Sequence, residues 1–169
     1  QNGDIAYAFD QYGRASGDTA FMAEHGLPVL AETARFWVGH LEEDDDGTWH
    51  SANAVGPDES TQAGRDNGFT NLLARDNLEC AVAWAERLAQ AEPHRFDDAR
   101  AQLDLTDAEV ERWRRVAAQL CIPHVPGKPD VPLQDQFFMQ KKPADMDGWR
   151  LREAPEHWQL PAGTPAADY

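Results

Sequence analysis

A short segment, 54-AVGPDESTQAGRDNGFTN-71, contains the residues whose types and order are best suited to catalysis. Its adjacent carboxylates, Asp58 and Glu59, directly follow Gly56 and Pro57. Glycine permits unusual backbone angles and proline fixes φ, so together they hold the next residues in a defined turn. Because neighbouring side chains in an extended loop point apart, one carboxyl can face a pocket while the other anchors the loop.

A carboxyl group in such a loop can act as a general acid if its surroundings keep it protonated. This requires a partly apolar, preorganised site, which raises the pKa of the carboxyl group. Glu59 is close in the chain to Val55, Pro57 and Trp49, which can supply such a site. Acidic loops are also common as solvated surface, so residue types alone leave both interpretations open.

Polar residues after the loop coincide with the predicted start of the longest helix, residues 67–90. Asn67 and Asn71 can cap this helix, bind the loop or hold sugar hydroxyls. Trp49, before the acids, is a candidate for stacking on a sugar because indole offers a large flat face with one donor. His50 beside it could reach the pocket through Trp49 but is more simply a surface histidine.

The elements that must hold this loop are predicted to be helices. Apolar residues recur every three or four positions, and caps, glycines and prolines mark the helix ends. The predicted helices are residues 4–13, ended by Gly13; residues 19–25, ended by Gly26; one from Pro28; residues 67–90; and one opened by the capping box of Thr106 and Glu109. The side chains expected to face inward include Ile5, Tyr7, Ala8, Phe9, Tyr12, Phe21, Met22, Val29, Leu30, Thr33, Phe36, Trp37, Phe69, Leu72, Leu73, Cys80, Trp84, Leu88, Val110, Trp113, Val116 and Leu120.

The composition of the chain changes after Cys121. Four prolines lie between residues 123 and 132 and exclude a regular helix there. We therefore expect residues 122–169 to form a Pro-rich, irregular segment that wraps the rest of the domain. Strand signals are almost absent, apart from a short strand or extended loop around Trp49, so the predicted fold class is all-α.

Composition and charge narrow the class of protein. The chain has 169 residues, of which 41% are hydrophobic, and this suits one globular domain rather than a disordered chain. The 30 acidic and 15 basic residues give a net charge of −15. This charge argues against binding to nucleic acid or to an anionic membrane and favours a neutral or cationic ligand. No apolar run is long enough to cross a bilayer.

The local sequence pattern contains no signal for a metal or a disulfide. Cys80 and Cys121 are far apart, and no histidine pairs with a cysteine or a carboxylate at helical metal-ligand spacing. The acidic run 43-EDDDG-47 lacks the spaced ligands of a calcium loop. We therefore expect no metal and no bound cofactor. No export signal is visible, which favours a cytoplasmic location, and the absence of an initiator methionine suggests a piece of a longer protein.

Three segments together resemble glycoside hydrolase family 65: 29-VLAETARFW-37, 55-VGPDE-59 and 66-DNGFTNLLARDNL-78. That family has an ETARFW-type helix, a GPDE loop and an Asn-rich helix start in this order. The opening segment, 2-NGDIAYAFDQYGRASGD-18, is similar to the helix and turn that precede them, so the resemblance covers roughly residues 2–90. The family includes maltose, trehalose and kojibiose phosphorylases together with inverting α-glucoside hydrolases.

The resemblance implies a fold and a set of residue roles. The fold would be an (α/α)6 barrel, with residues 1–169 forming part of a single catalytic domain. Glu59 would be the general acid that protonates the glycosidic oxygen, and Asp58 would be its supporting neighbour. Asn67 and Asn71 match the helix start and would support the loop or the substrate.

The chain departs from the family pattern at two places. Ser60 and Thr61 stand where the phosphorylases usually have Tyr-His, next to the leaving-group sugar, and so bear on acceptor specificity. Gly68 is closer to the hydrolases than to the phosphorylases. We therefore expect an inverting hydrolase of α-glucosidic bonds. Two alternatives are a phosphorylase that uses inorganic phosphate as co-substrate and releases β-glucose 1-phosphate, and a non-catalytic helical interaction domain.

The implied inverting mechanism needs a second group opposite Glu59. In a hydrolase this group is a carboxylate that activates water, about 6.5–9.5 Å from the acid. In a phosphorylase the phosphate is itself the nucleophile. Glu153 and Glu156 have the required type but are more simply surface acids. The expected partners are a small-molecule α-glucoside and the rest of the same catalytic domain, with a homodimer as a further option.

Overall fold

The structure, a computed structural model, describes residues 2–57, 64–125 and 127–132. These residues form six helices, α1 (Asn2–Ser16), α2 (Thr19–Phe21), α3 (Leu27–His40), α4 (Gly68–Ala91), α5 (Pro93–Leu103) and α6 (Asp107–Gln119), with a π-helical turn at Met22–Gly26. Two antiparallel hairpins are formed by the short strands β1 (Leu41–Glu43), β2 (Trp49–Ser51), β3 (His124–Val125) and β4 (Lys128–Pro132). The described part of the chain is all-α in class, as predicted. None of its helices is long and apolar enough to cross a membrane.

Helix α4 is the centre of the described fold, since it packs against α1, α3, α5 and α6. Its buried residues recur every three or four positions, which confirms the predicted helix at residues 67–90 to within a residue. The largest side chains that are fully buried in the core include Met22, Leu27, Leu30, Leu78, Leu88, Trp113 and Val116. The loop that precedes α4 is therefore attached to the helix with the most neighbours.

Helix α1 buries a different face from the one that its large apolar residues predicted. Ile5, Tyr7 and Tyr12 are exposed, and small residues take the inward positions. Gly13 was predicted to end the helix but lies inside it. A Cβ at this position would overlap the ring of Trp84, so the glycine is needed for the close approach of α1 to α4. Large apolar side chains could not occupy so narrow a contact.

A polar cluster is buried in the same contact between α1 and α4. Asp10 accepts hydrogen bonds from Trp84 Nε1 at 2.9 Å and from Arg14 Nε at 2.8 Å. Burial, followed by the nearby carboxylates of Asp76 and Asp10, raises the pKa of the Cys80 thiol to about 12. Cys80 is therefore a protonated core thiol, in agreement with its predicted inward position.

Gly26 does not end a helix either, contrary to the prediction. Helix α2, the π-helical turn and α3 follow one another directly, and Gly26 keeps helical angles with φ of −71° and ψ of −51°. A Cβ at Gly26 would overlap the side chain of Met22, so close packing explains this glycine as well. Phe36 and Phe69, predicted to face inward, are exposed, because other residues of α3 and α4 take the inward positions. Trp37 is buried, as predicted.

The predicted start of α6 is confirmed, because Thr106 Oγ1 accepts a hydrogen bond from Glu109 N at 3.2 Å. The Glu109 carboxylate binds Arg35 on α3 through bonds of 2.7 and 2.9 Å and so joins the two helices. After α6, β3 and β4 form a hairpin where an irregular segment was predicted. Prolines exclude a helix there but are tolerated in edge strands. Residues 133–169 lie outside the described residues.

Candidate active site

The predicted catalytic loop has a closed neck. Ala54 N donates to Gly64 O at 2.9 Å, and Gly64 N donates to Ala54 O at 3.1 Å. These bonds form an antiparallel bridge at which the segment 55–63 leaves and returns. Four predicted site residues of this segment lie outside the described residues: Asp58, Glu59, Ser60 and Thr61. The structure therefore defines where the loop of the predicted acid is attached.

Asn67 joins the loop to the start of helix α4. Its Oδ1 accepts a hydrogen bond from Thr70 N at 3.0 Å, which caps the helix as predicted. A Cβ at Gly56 would overlap the Asn67 side chain, so the two residues are in close contact. Gly56 precedes Glu59 by three positions. Asn67 is buried in contact with the outgoing end of the loop, and its expected role in binding substrate stays a prediction.

Asp66 ties the returning end of the loop to strand β2. Its backbone N donates to Ser51 O at 3.0 Å, and its Oδ1 accepts from Ser51 N at the same distance. The carboxylate is 2% exposed, and the residue has a left-handed φ of 52°. Such angles are unfavourable outside glycine and are tolerated best by Asn and Asp. The two hydrogen bonds to Ser51 offset the energetic cost of this backbone conformation.

Asn71 connects the same carboxylate to the end of helix α6. Its Nδ2 donates to Asp66 Oδ1 at 2.9 Å and to Cys121 O at 2.8 Å. Asn71 is fully buried, and within the described ranges its Oδ1 has no hydrogen-bond partner. The Asn71 side chain therefore links the loop end at Asp66 to the segment after α6. This geometry favours the supporting role over direct binding of a sugar hydroxyl.

The ring of Trp49 belongs to the hydrophobic core. Only 4% of the residue is exposed, and the guanidinium of Arg112 lies 5.9 Å from the ring centroid. Residues of a strand alternate between its faces, so Trp49 and Ser51 point inward and His50 points the other way. The Trp49 backbone O accepts a bond from Cys121 N at 2.8 Å. A structural role therefore replaces the predicted stacking on a sugar.

His50 has a more specific environment than the predicted surface histidine. Its Nδ1 lies 2.6 Å from Asp66 Oδ2, and its Nε2 lies 3.0 Å from Asp44 Oδ2. The side chain is 13% exposed. Asp44 belongs to the acidic turn after β1, which was predicted to be solvated. His50 therefore connects this turn to Asp66 at the end of the loop.

Within the same turn, a hydrogen bond from the Thr48 side chain is the main cause of a lowered pKa at Asp46.

Cys121 completes a group that sequence spacing did not reveal. The ligand atoms of His50, Asp66 and Cys121 all lie within 4.8 Å of one another. The three residues come from β2, the loop end and the segment after α6, so no short motif contains them. The only signal in the sequence is that His50 falls on the opposite face of a strand from Trp49.

An open depression of about 460 Å³ lies elsewhere, at the turn between α5 and α6. Its lining residues are Asp97, Arg100, Ala101, Asp104, Leu105 and Thr106. Thr106 precedes α6, whereas the loop neck is near Trp49, which pairs with Leu120 after the other end of α6. A helix rises about 1.5 Å per residue, so the two ends of α6 lie roughly 20 Å apart. We do not assign the chemistry of the loop to this depression.

Comparison with known families identifies the scaffold to which this loop belongs. Residues 1–163 match the family described as "Glycosyl hydrolase family 65 central catalytic domain". The chain therefore belongs to glycosyl hydrolase family 65, as the resemblance of its segments predicted. Its helices form part of the family's (α/α)6 barrel.

The chain is similar to relatives named as phosphorylases and to relatives named as uncharacterized glycosyl hydrolases. It is 34% identical over 146 residues to an α,α-trehalose phosphorylase of Geobacillus stearothermophilus, covering 85% of this chain and 19% of the relative. It is 30% identical over 139 residues to a kojibiose phosphorylase of Caldanaerobacter subterraneus subsp. tengcongensis, covering 82% and 18%. An uncharacterized glycosyl hydrolase of Mycobacterium tuberculosis is 39% identical over 123 residues, covering 73% and 15%. The chain thus spans less than a fifth of the length of these relatives.

The same architecture occurs in a solved structure described as a kojibiose phosphorylase from the human microbiome. The TM-score is 0.74 at 18% sequence identity, and the match covers 94% of this chain and 23% of that one. At this identity the likeness concerns the fold. It confirms the all-α arrangement of the described helices.

Proposed function

We propose that the full-length protein containing this chain cleaves α-glucosidic bonds of small glucosides with inversion, and that Glu59 is the general acid. The family match over residues 1–163 carries this proposal, because the matched domain is a catalytic one. Glu59 lies in the segment between the neck residues Ala54 and Gly64. It is the residue that the family's GPDE loop implies for this role.

The described residues support this role through the way they hold the loop. The bridge between Ala54 and Gly64 closes the loop, and Asn67 packs against Gly56 on its outgoing side. A general acid must come within about 2.6–3.2 Å of the oxygen that it protonates. A loop anchored at both ends loses less freedom in meeting this requirement. Anchoring of this kind is compatible with the proposed catalytic role of the loop.

In the proposed reaction Glu59 gives its proton to the glycosidic oxygen while the bond from that oxygen to the glucosyl carbon breaks. The electron pair of the broken bond stays on the leaving sugar, which departs as a neutral alcohol, and Glu59 becomes a carboxylate. A nucleophile attacks the opposite face of the glucosyl unit, so the configuration inverts. Asp58 supports the acid, and Ser60 and Thr61 influence the choice of leaving sugar.

The proposed substrate is a small, neutral α-glucoside. The relatives named above are a trehalose phosphorylase and a kojibiose phosphorylase, and both names denote enzymes that act on a disaccharide. The net charge of −15 is compatible with a neutral sugar and opposes binding of a polyanion. We therefore place trehalose and kojibiose first among the candidates, followed by maltose and nigerose.

The nucleophile is either water or inorganic phosphate. Gly68 favours a hydrolase by its resemblance to that branch of the family. The names of relatives matched over 82% and 85% of the chain favour phosphorolysis, which thereby has at least equal support. Phosphate would then be a co-substrate, and no further cofactor is proposed for the cleavage.

Product analysis distinguishes these functions. The full-length protein is incubated with each disaccharide in the presence and absence of phosphate, and the products are followed by NMR. Hydrolysis predicts β-glucose under both conditions, and phosphorolysis predicts β-glucose 1-phosphate only with phosphate. An α-configured product would contradict inversion. Failure to cleave any of the four sugars would favour the non-catalytic interaction domain.

The rest of the same catalytic domain is the proposed partner of this chain. The chain corresponds to 19% or less of the relatives named above. Several large apolar side chains are exposed, although buried positions are the more favourable ones for them. These side chains include Ile5, Tyr7, Tyr12, Phe36 and Phe69. Contact with further helices of the barrel would cover them.

A further inference from the structure

Three side chains with different metal-binding atoms lie close together near the neck of the loop. They are the imidazole of His50, the carboxylate of Asp66 and the thiol of Cys121, whose ligand atoms lie within 4.8 Å of one another. His50 and Asp66 are largely buried. None of the three is needed as an acid or a nucleophile in the proposed cleavage of a glucoside.

The imidazole of His50 lies between two carboxylates. Its Nδ1 lies 2.6 Å from one carboxylate, Asp66, and its Nε2 lies 3.0 Å from another, Asp44. When one ring nitrogen donates its N–H to a carboxylate, the other offers a lone pair that can bind a metal ion together with the second carboxylate.

Hydrogen bonds from the surroundings fix the positions of two of the three groups, His50 and Asp66. When Nε2–H donates to Asp44, the lone pair of Nδ1 faces Asp66, and this carboxylate–histidine arrangement is typical behind a metal-bound histidine. The Oδ1 of Asp66 is held by Ser51 N and Asn71 Nδ2, which leaves Oδ2 facing His50, with Arg65 Nε 3.5 Å from the same oxygen. Cys121 is held through its backbone N and O.

We propose that His50 Nδ1, Asp66 Oδ2 and Cys121 Sγ bind a divalent transition metal ion, with zinc as the first candidate. Nitrogen, carboxylate and thiolate ligands are the set that zinc takes in proteins, and water can occupy the fourth position. Ligands at about 2.0–2.3 Å from a tetrahedral ion lie roughly 3–4 Å apart. Binding would therefore require His50 Nδ1 and Asp66 Oδ2, now 2.6 Å apart, to separate by about 1 Å, and the sulfur to lie within about 4 Å of both.

The bound ion would add a side-chain link between three parts of the chain that backbone hydrogen bonds already hold together. It would link strand β2, the returning end of the loop and the segment after α6. Sequence spacing predicted no metal because local motifs place ligands a few residues apart. Here the ligands come from positions 50, 66 and 121. The proposal is independent of whether Glu59 is the catalytic acid.

Cobalt substitution tests the site directly. The full-length protein is treated with a chelator, dialysed and titrated with Co²⁺, whose thiolate complexes absorb in the near ultraviolet. We expect one absorbance band that saturates at one ion per chain and is displaced by Zn²⁺. Cys121→Ser should abolish this band, and Cys80→Ser, which removes the buried thiol of α4, should retain it. His50→Gln should weaken Co²⁺ binding at least tenfold.

A second readout does not depend on optical bands. One equivalent of Zn²⁺ should slow the alkylation of Cys121 at least tenfold and raise the melting temperature of the wild type but not of Cys121→Ser. Circular dichroism checks that each variant is folded. An equal cobalt band in Cys121→Ser would overturn the proposal, as would unchanged alkylation of Cys121 at saturating Zn²⁺. Sugar cleavage is not a readout, so its absence would count only against the proposed function.

Discussion

Ala54 and Gly64 hold the two ends of the predicted catalytic loop together through backbone hydrogen bonds of 2.9 and 3.1 Å. These bonds use no side chain, so the neck is compatible with many loop sequences. Side chains contribute next to this bridge, where Asn67 packs against Gly56 and Asp66 is hydrogen-bonded to Ser51. The contacts that hold the loop of the predicted acid can therefore be changed one at a time by substitution.

Gly56→Ala should disturb the loop through a single methyl group. The new Cβ would overlap the Asn67 side chain, and overpacking of this kind costs about 1–3 kcal/mol. We expect lower stability in urea unfolding and a fall in kcat, because the shift moves the acid. Gly39→Ala is the matched control, since a Cβ there meets nothing within 4 Å in helix α3. It should be neutral or stabilise by about 0.5–1 kcal/mol.

Asn67→Ala removes the cap of helix α4 and the packing partner of Gly56. Loss of an N-cap costs about 1 kcal/mol, and exchange of the Thr70 amide proton should become faster. Asn67→Asp keeps an oxygen that accepts the bond from Thr70, so it should retain most of the stability. Urea unfolding and hydrogen exchange measured by mass spectrometry compare the two variants. Equal losses in both would refute the capping role.

Asp76→Asn should stabilise the protein in a manner that depends on pH. Partial burial, and then the Asp10 carboxylate, raise the pKa of Asp76 above its ordinary value of 3.8. Below about pH 3 the carboxyl is protonated in both states and the substitution should be nearly neutral. As the pH rises through the folded-state pKa, the charge costs stability that the amide avoids. Urea unfolding at pH 3 and pH 7 should show the gain only at pH 7, and the reverse order would contradict the account.

Cys80 should resist alkylation in the folded protein. Its pKa is raised to about 12, chiefly by burial, so almost no thiolate is present near neutral pH. Cys121 is partly exposed and should react first with iodoacetamide. Peptide mass spectrometry after timed labelling measures both rates, and labelling in urea shows the unprotected rate for each thiol. Faster labelling of Cys80 than of Cys121 under native conditions would contradict the proposed packing of α1 on α4.

Periodicity predicted the helices well and their buried faces less well. The residues of α4 recur at helical spacing, and Thr106 and Asn67 cap the helices they were expected to open. On α1 the large residues were expected inside, but Gly13 shows that this contact is too narrow for them. Hydrophobicity identifies a helix, whereas the separation between helices decides which of its faces is buried.

The site was predictable as a segment and not as a set of contacts. The family resemblance singled out the loop with Glu59, and residue types singled out Asn67 and Asn71 next to it. The anchoring bonds of Asp66 to Ser51 and of Asn71 to Cys121 depend on tertiary packing. The same packing buries Trp49, which was expected to be an open platform for a sugar. A loop position before the acid could not indicate which face of β2 would be covered.

The role of Glu59 as general acid is tested most directly by Glu59→Gln on two substrates that differ in the leaving group. Fluoride leaves without a proton, whereas the sugar of a disaccharide needs one. The account predicts that Glu59→Gln loses about 10²–10⁴-fold in kcat on the cleaved disaccharide and far less on α-glucosyl fluoride. Glu153→Gln, at a predicted surface acid, should leave both rates unchanged. Equal losses on the two substrates, or an unchanged rate on the disaccharide, would contradict the account.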